Sequence, residues 1–191
     1  MRMAVDDFRR DYLTDIARTY RNYKTLGEHA MAQVSDDQLH VRLDPESNSV
    51  ALIVKHLAGN LRSRFTDFLT TDGEKPNRNR DREFEMADQV SRAEIMTWWE
   101  SGWAAALGAI DALTPEDLDR PVYIRSERFL VVESLNRLGT HAAYHVGQIV
   151  YLAKHFSGPN WTSLSIPKNR SAEARGEFKK GIVPGGNQQR V

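Results

Sequence analysis

Hydrophobic side chains recur every three or four positions along four long segments of the chain. The segments span about residues 3–34, 49–70, 92–113 and 131–156. This period places the apolar side chains on one face of an α-helix. The pattern therefore predicts an all-α fold in which four long amphipathic helices pack as a helix bundle.

Local capping signals support the ends of these predicted helices. Ser49 and Ser91 stand at the N-cap positions of the second and third helices, and Glu94 follows Ser91 at the spacing of a capping box. The Thr-Pro pair at 114–115 should end the third helix, and the Ser-Gly-Pro stretch at 157–159 should end the fourth. These signals are independent of the hydrophobic period and agree with it.

The connections between the predicted helices differ in composition. Residues 72–85 are polar and carry charges of both signs, so we expect a solvated loop. Residues 121–132 alternate in the manner of a short β-hairpin, although the polar stretch 125–128 fits a simple turn equally well. Toward the C-terminus the apolar cluster WTSLSIP should pack on the helices, and the last ten or so residues should be mobile. We therefore expect one helical domain, residues 1–170, followed by a polar, mobile tail, residues 171–191.

Composition and charge narrow the class of protein. The chain has 191 residues, enough for a sizeable core, and its basic and acidic residues number 26 each, which gives no bulk charge for binding nucleic acid or a membrane surface. No apolar run approaches the roughly 20 residues that span a bilayer, and the N-terminus does not resemble a signal peptide, so we expect a cytoplasmic protein. The chain has no cysteine, so any reactive sulfur must arrive with a co-substrate.

Two histidines four positions apart are the clearest chemical signal in the chain. His141 and His145 lie in the stretch THAAYHVGQIVYLAKHF and share a helix face with Leu138 and Ile149. Residues four apart lie one helical turn apart on the same face, so the two imidazoles could bind one metal ion. His56 lies among apolar residues on the inward face of the second helix. Three neutral imidazoles that leave one position open to water would match a catalytic zinc site.

The same three histidines have a plainer interpretation. An inward-facing histidine is often a hydrogen-bonded core residue, and the sequence alone leaves the two interpretations evenly balanced. A buried imidazole without a partner costs about 1–3 kcal/mol. Whichever interpretation holds, each histidine must therefore find a partner inside the fold.

Several polar side chains near the histidines are candidates for supporting roles. Asn60 follows His56 by one turn, and Gln148 follows His145 by three residues, so either amide could orient a ligand or hold a metal-bound water. An ordinary interhelical hydrogen bond explains each of them equally well. Arg64, or Arg62 beside it, and Tyr144 could contact an anionic substrate, with surface or packing roles as the alternative.

Two stretches of the sequence resemble a known superfamily. They are VKHLAGNLRSRFTDFLTTDGEKPNRNRDREF and THAAYHVGQIVYLAKHF, the latter followed by WTSLSIP, and they resemble a domain-of-unknown-function subgroup of the DinB-like (YfiT-like) superfamily. The resemblance extends to about residue 170. It implies a four-helix bundle with crossover connections, usually a homodimer, with a divalent ion, commonly zinc or nickel. The ligands that it implies are His56, His141 and His145.

The resemblance says less about the reaction than about the fold. The superfamily includes transferases that use low-molecular-weight thiols such as bacillithiol, mycothiol-dependent isomerases and many members without an assigned activity, which this subgroup resembles most. A metal ion held by three neutral histidines can lower the pKa of a bound water from about 16 to about 7, and it also favours the thiolate of a bound thiol. We therefore expect a metal-dependent transferase or hydrolase that acts on a small molecule. The alternative is a non-catalytic, metal-binding dimeric scaffold protein.

The third predicted helix carries apolar side chains over an unusually wide arc. One stripe faces the expected core, and a second stripe lies about 100° away: Trp98, Gly102, Ala105, Ala109 and Ala112. A helix that is apolar over such an arc is covered on two sides. The second stripe should therefore pack either on a neighbouring helix of its own chain or on a second copy, and the resemblance favours a homodimer.

Overall fold

A computed structural model describes residues 2–86 and 90–179 of the chain, and most of these residues are helical. The predicted all-α class is confirmed, with one small β-hairpin added to it. The helices and strands are α1 (Arg2–Met31), α2 (Asp36–His40), α3 (Val50–Phe65), α4 (Arg92–Asp111), β1 (Pro121–Ile124), β2 (Glu127–Leu130), α5 (Val131–Ser157) and α6 (Ser171–Lys179). Short 3₁₀ helices span Asp81–Phe84, Pro115–Asp119 and Gly158–Asn160. No helix in the described residues has the length and apolarity that crossing a membrane would require.

The long helices begin where the capping signals predicted. The hydroxyl groups of Ser49 and Ser91 accept hydrogen bonds from backbone N–H groups in the first turns of α3 and α4. The end of α3 differs from the prediction, because the helix stops at Phe65 and not near residue 70. Thr66 is extended and Asp67 has a left-handed φ of 50°, so the backbone turns away there. The period missed the five-residue α2, which is too short to show one.

Close packing between α3 and α4 gives the core its shape. A Cβ atom on Gly102 of α4 would lie 2.7 Å from the Cα of Ala58 on α3, so glycine lets the two backbones approach. Two tryptophans of α4, Trp99 and Trp103, are fully buried. The Tyr20 hydroxyl of α1 donates a hydrogen bond of 2.8 Å to the carbonyl of Leu135 on α5. The four long helices thus share one core.

The second apolar stripe of α4 is divided between two surroundings. Gly102 packs against α3 of the same chain, and the ammonium of Lys55 lies 5.7 Å from the centre of the Trp98 ring. Farther along, Ala105, Ala109 and Ala112 line a groove of about 480 Å³ beside the end of α3. The near half of the stripe therefore packs on its own chain, whereas the far half borders this groove.

Residues 121–130, within the stretch 121–132 that the sequence left undecided, form a β-hairpin. Strands β1 and β2 pair antiparallel, and the two-residue turn at Arg125 and Ser126 has φ values of 56° and 63°. Such positive values are unusual for residues other than glycine. The carboxylate of Asp72 accepts hydrogen bonds from both turn N–H groups, at 2.9 and 2.7 Å, and so stabilises the turn.

The expectation of a solvated loop at residues 72–85 is wrong for its central part. The side chains of Arg78 and Glu83 are only 5% and 9% exposed. The carbonyl of Gly73 accepts hydrogen bonds from the Ser63 hydroxyl and the Arg64 guanidinium at 2.7 and 2.5 Å, which ties the segment to α3. We call residues 72–85 the α3 flap, because they fold against α3.

The C-terminal part of the described chain packs on the helices. Trp161 and Leu164, from the WTSLSIP cluster, are partly buried against the core as predicted. Helix α6 lies within the segment predicted to be a mobile tail, and its Ala174 is buried. Residues 180–191, to which the expectation of mobility also applies, lie outside the described residues. The division into a domain, residues 1–170, and a tail stays a prediction.

Candidate metal centre

Three histidine side chains converge between α3 and α5. His56 comes from α3, and His141 and His145 come from successive turns of α5. One ring nitrogen from each lies within 4.8 Å of the others, and the ring centroids are 4.6 to 5.5 Å apart. Nitrogens bound to one tetrahedral zinc ion lie about 3.4 Å apart, so small side-chain movements would bring all three to one ion. Within the described ranges, no other group of three histidine or acidic residues meets the same criterion.

Unpartnered polar atoms mark this site. His56 and His145 are each 4% exposed. The Nε2 of His145, the Nδ1 of His141 and the Oδ1 of Asn60 are buried and have no hydrogen-bond partner among the residues that the structure describes. A buried polar atom left unpaired costs about 1–3 kcal/mol. A divalent ion would satisfy the imidazole lone pairs, so the residues present fit a metal.

Glu83 orients the His56 ring from behind. The Nδ1 of His56 donates a hydrogen bond of 2.8 Å to Oε2 of Glu83, and the ring of Phe84 stacks on the imidazole at 4.6 Å. Because the carboxylate accepts this bond, Nδ1 carries the proton and Nε2 keeps its lone pair. A carboxylate that supports a histidine in this way also raises its basicity as a metal ligand.

Glu83 is itself held in place by Arg78 and Gly59. The guanidinium of Arg78 donates two hydrogen bonds to the Glu83 carboxylate, at 2.8 and 2.9 Å. Burial opposes ionisation of Glu83, but the hydrogen bonds from Arg78 and His56 keep its pKa below the usual value. A Cβ atom on residue 59 would lie 2.4 Å from Oε1 of Glu83, so this close approach requires glycine. Arg78, Glu83 and His56 thus form a continuous hydrogen-bonded chain, the Arg78–Glu83–His56 chain.

On α5, a neighbouring amide orients His145. The Nδ1 of His145 donates a hydrogen bond of 2.9 Å to Oε1 of Gln148, which leaves the buried Nε2 with its lone pair. The ring of Tyr144 lies 4.0 Å from the His145 ring and 5.5 Å from the His141 ring, between centroids. Tyr144 is 53% exposed, so it borders the histidines on a side that solvent reaches.

Burial keeps the α5 histidines neutral. Desolvation, and secondarily the charges of the other two histidines, lower the pKa of His141 to about 3. Desolvation also lowers the pKa of His145 to about 4, although the hydrogen bond to Gln148 works in the opposite direction. Imidazole binds metal only in its neutral form. Both rings are therefore ready to act as ligands at neutral pH.

The other predicted site residues differ in burial and in their distance from the histidines. Gln148 contacts a histidine, and Asn60 is buried one turn beyond His56 with a free oxygen. Arg64 is buried, and its guanidinium donates to the carbonyl of Gly73 and to Glu74, so the substrate contact of Arg64 and Tyr144 stays a prediction. Arg62 is exposed and donates to the hydroxyl of Ser101 at 3.1 Å.

Sequence reasoning missed Glu83 and Arg78. Both lie in a stretch with charges of both signs and no hydrophobic period, which is typical of exposed loops. The only local sign was the aromatic Phe84 directly after Glu83, in an otherwise polar segment. Their role follows from how the α3 flap folds back on α3, which no local pattern predicts.

A comparison with known protein families found a match. The model of a family described as "Protein of unknown function (DUF1572)" matches residues 7–170. The matched region includes all three histidines and the Arg78–Glu83–His56 chain. No curated protein sequence matches the chain significantly.

Proposed function

The chain belongs to the DUF1572 family of proteins of unknown function, and from that premise we propose that it is a metal-dependent enzyme. Its divalent ion is held by His56, His141 and His145. The observation that carries this proposal is the buried, unpartnered Nε2 of His145, which lies next to two further imidazoles. Three protein ligands leave coordination positions open, as catalytic zinc sites do.

The proposal extends to the fold family and to the metal. Four long helices around one core, with the histidines on the second and fourth of them, support a DinB-like four-helix bundle. Zinc or nickel is the ion that we propose, because neutral imidazole suits both.

The residues around the histidines have different roles in the proposed reaction. The ion would supply Lewis acidity toward a water molecule or a low-molecular-weight thiol. Glu83 and Gln148 fix the tautomers of His56 and His145. Asn60 offers a buried acceptor oxygen, and the exposed Tyr144 offers an aromatic face and a hydroxyl to a substrate. In a transfer reaction, the low-molecular-weight thiol would bring the sulfur that a chain without cysteine cannot supply. In a hydrolysis, the bound water would be the nucleophile.

Metal content tests the ligand set. Protein purified without a nickel column should contain one equivalent of divalent metal per chain by elemental analysis. His141→Ala should lose most of it, because only two imidazoles remain. His155→Ala removes an exposed histidine from the same helix and should keep the metal. A full, tightly bound equivalent in His141→Ala would show that the ligand assignment is wrong.

Activity separates the enzyme from the scaffold alternative. Metal-loaded protein should be screened with thiol and electrophile pairs, and with esters and amides for hydrolysis. The enzyme should turn over one of these classes, lose turnover with a chelator and regain it when zinc or nickel is added back. A protein that binds one equivalent of metal without turnover of any class would favour the scaffold.

A further inference from the structure

A separate cleft lies on the outer side of α3. It has a volume of about 650 Å³ and opens between α3 and the α3 flap. Glu83 and Arg78 line it, whereas none of the three histidines does. Small-molecule sites commonly have volumes of about 300–1,000 Å³, so the cleft is large enough for a ligand.

The cleft carries an excess of positive charge, although the net charge of the whole chain is zero. Its lining includes two carboxylates and five cationic side chains: Lys55, Arg62, Lys75, Arg78 and Arg82. Basic and acidic residues balance over the whole sequence, so this excess is local. A concave surface with one sign of charge attracts ligands of the opposite sign.

Four of these five cations lack a carboxylate partner. Arg78 is paired with Glu83, but Lys55, Arg62, Lys75 and Arg82 make no ion pair within the described part of the chain. Among the described residues, the ammonium of Lys75 donates to the Thr71 hydroxyl and to the backbone carbonyl of Asp72. The guanidinium of Arg82 is exposed and has no partner among the described residues.

Several arginines elsewhere on the surface are paired with carboxylates. Arg10 and Arg18 of α1 are exposed, and each pairs with an aspartate three residues earlier in the chain. Arg21 pairs with Asp111 at 2.6 Å. Exposed cations without an ion pair also occur elsewhere among the described residues, Arg128 and Arg137 for example, so the cleft is distinguished by having four of them around one concave surface.

The backbone of α3 arranges the cleft. Lys55, Gly59, Arg62 and Thr66 follow one another at spacings of four, three and four residues, which places them along one face of the helix. Gly59 has no side chain, so the Glu83 carboxylate lies directly against the helix between Lys55 and Arg62. The α3 flap supplies Lys75 and Arg82 to the opposite wall.

We infer that this cleft binds a small polyanion, a molecule that carries two or more phosphate or carboxylate groups. Cations on both walls can contact separate anionic groups of one ligand. The guanidinium groups can each donate two parallel hydrogen bonds to a phosphate or carboxylate. The inference concerns a site apart from the three histidines and does not depend on their binding a metal.

Calorimetric titration at low ionic strength tests the inference. Pyrophosphate and citrate are the probes, and the protein is first freed of metal with a chelator, because both probes bind metal ions. We expect saturable binding of one molecule per chain. The Arg62→Gln/Arg82→Gln variant should bind about tenfold more weakly, since both lost cations face the ligand. Arg10→Gln/Arg18→Gln removes the same charge from α1 and should bind as the wild type does.

The outcomes distinguish the ligand source and the site. Tighter binding of pyrophosphate would indicate a phosphorylated ligand, and tighter binding of citrate would indicate a polycarboxylate. The His141→Ala/His145→Ala variant should keep full affinity, so failure of the metal proposal would leave this result intact. Absence of saturable binding for both probes up to millimolar concentration would overturn the inference. The inference would also be overturned if Arg10→Gln/Arg18→Gln weakened binding as much as the cleft variant does, or if His141→Ala/His145→Ala lost binding.

Discussion

At the scale of single residues, the metal centre depends on hydrogen bonds behind the ligands. His56 and His145 each donate a proton away from the centre, to Glu83 and Gln148 respectively. Each bond fixes a tautomer before any metal arrives. Gln148 was predictable because a helix brings residues three apart together. Glu83 was not, because it lies 27 positions after His56, beyond the end of α3, in a segment without a hydrophobic period.

Replacing Glu83 by glutamine should weaken metal binding about 10- to 100-fold, the usual effect of losing a partner behind a ligand. Glutamine keeps the shape of the side chain but removes the charge that raises the basicity of His56. The measurement is a competition titration with a zinc-sensitive chelating dye. The control is Glu85→Gln, which replaces the exposed carboxylate at the end of the α3 flap and should leave the affinity for metal unchanged. Equal affinities of Glu83→Gln and wild type would mean that Glu83 has only a packing role.

Protonation of the α5 histidines predicts the pH dependence of stability. Burial lowers the pKa values of His141 and His145 to about 3 and about 4, whereas both rings titrate near pH 6.5 in the unfolded chain. Between these values the unfolded chain binds protons that the folded chain excludes, so lower pH favours unfolding. Between pH 7 and pH 5, the free energy of unfolding should therefore fall by about 2–3 kcal/mol more for the metal-free wild type than for His141→Gln/His145→Gln. This figure includes a reduction for the partial exposure of the two rings.

Urea unfolding at both pH values measures this difference. Glutamine does not titrate in this range, so the double variant reports the contribution of all other groups. A wild type that loses no more stability than the variant would show that the two imidazoles titrate normally in the fold.

At the scale of secondary structure, an element could be predicted from the sequence where a local pattern reflects what stabilises it. The long helices were predictable because a single buried face imposes a period on the sequence. The hairpin at residues 121–130 stayed undecided because its turn depends on Asp72, about 50 residues earlier in the chain. The buried centre of the α3 flap was predicted wrongly, because charged residues that pair inside a protein have the composition of a solvated loop.

The contact between α3 and its flap can be tested at Gly59. A methyl group there would displace the Glu83 carboxylate, which can move only by giving up its bonds to Arg78 and His56. Gly59→Ala should therefore cost about 1–3 kcal/mol of unfolding free energy and also weaken metal binding. Gly147→Ala adds a methyl group to α5 where nothing lies within 4 Å. It should stabilise the protein by about 0.4–1 kcal/mol.

Chemical denaturation of both variants gives the comparison. Opposite signs are expected because the two glycines differ in surroundings and not in secondary structure. A stabilised Gly59→Ala with normal metal affinity would mean that Glu83 can relocate without loss.

At the scale of the whole molecule, we propose a homodimer through the far half of the second α4 stripe. Ala105 and Ala109 border a groove that Phe65 and Phe68 also line. A charge placed there would be desolvated on association, at a cost that the contact cannot offset. Ala105→Glu should therefore sediment as a helical monomer at tens of micromolar, where we expect the wild type to sediment as a dimer.

Ala93→Glu, at an exposed position of the first turn of α4, is the matched control and should stay dimeric. A wild type that sediments as a monomer would contradict the dimer. Unfolding of Ala105→Glu would assign the stripe to the core of its own chain.

The position of Glu83 between the cleft and the histidines should couple the two proposed sites thermodynamically. One carboxylate receives hydrogen bonds from Arg78, which lines the cleft, and from His56 at the metal centre. An anion that draws Arg78 toward itself leaves more of the Glu83 charge to His56, so it should tighten metal binding. Reciprocity then requires the metal to tighten anion binding by the same factor. With such positive cooperativity, the protein would respond to the joint presence of two ligands more sharply than to either one alone.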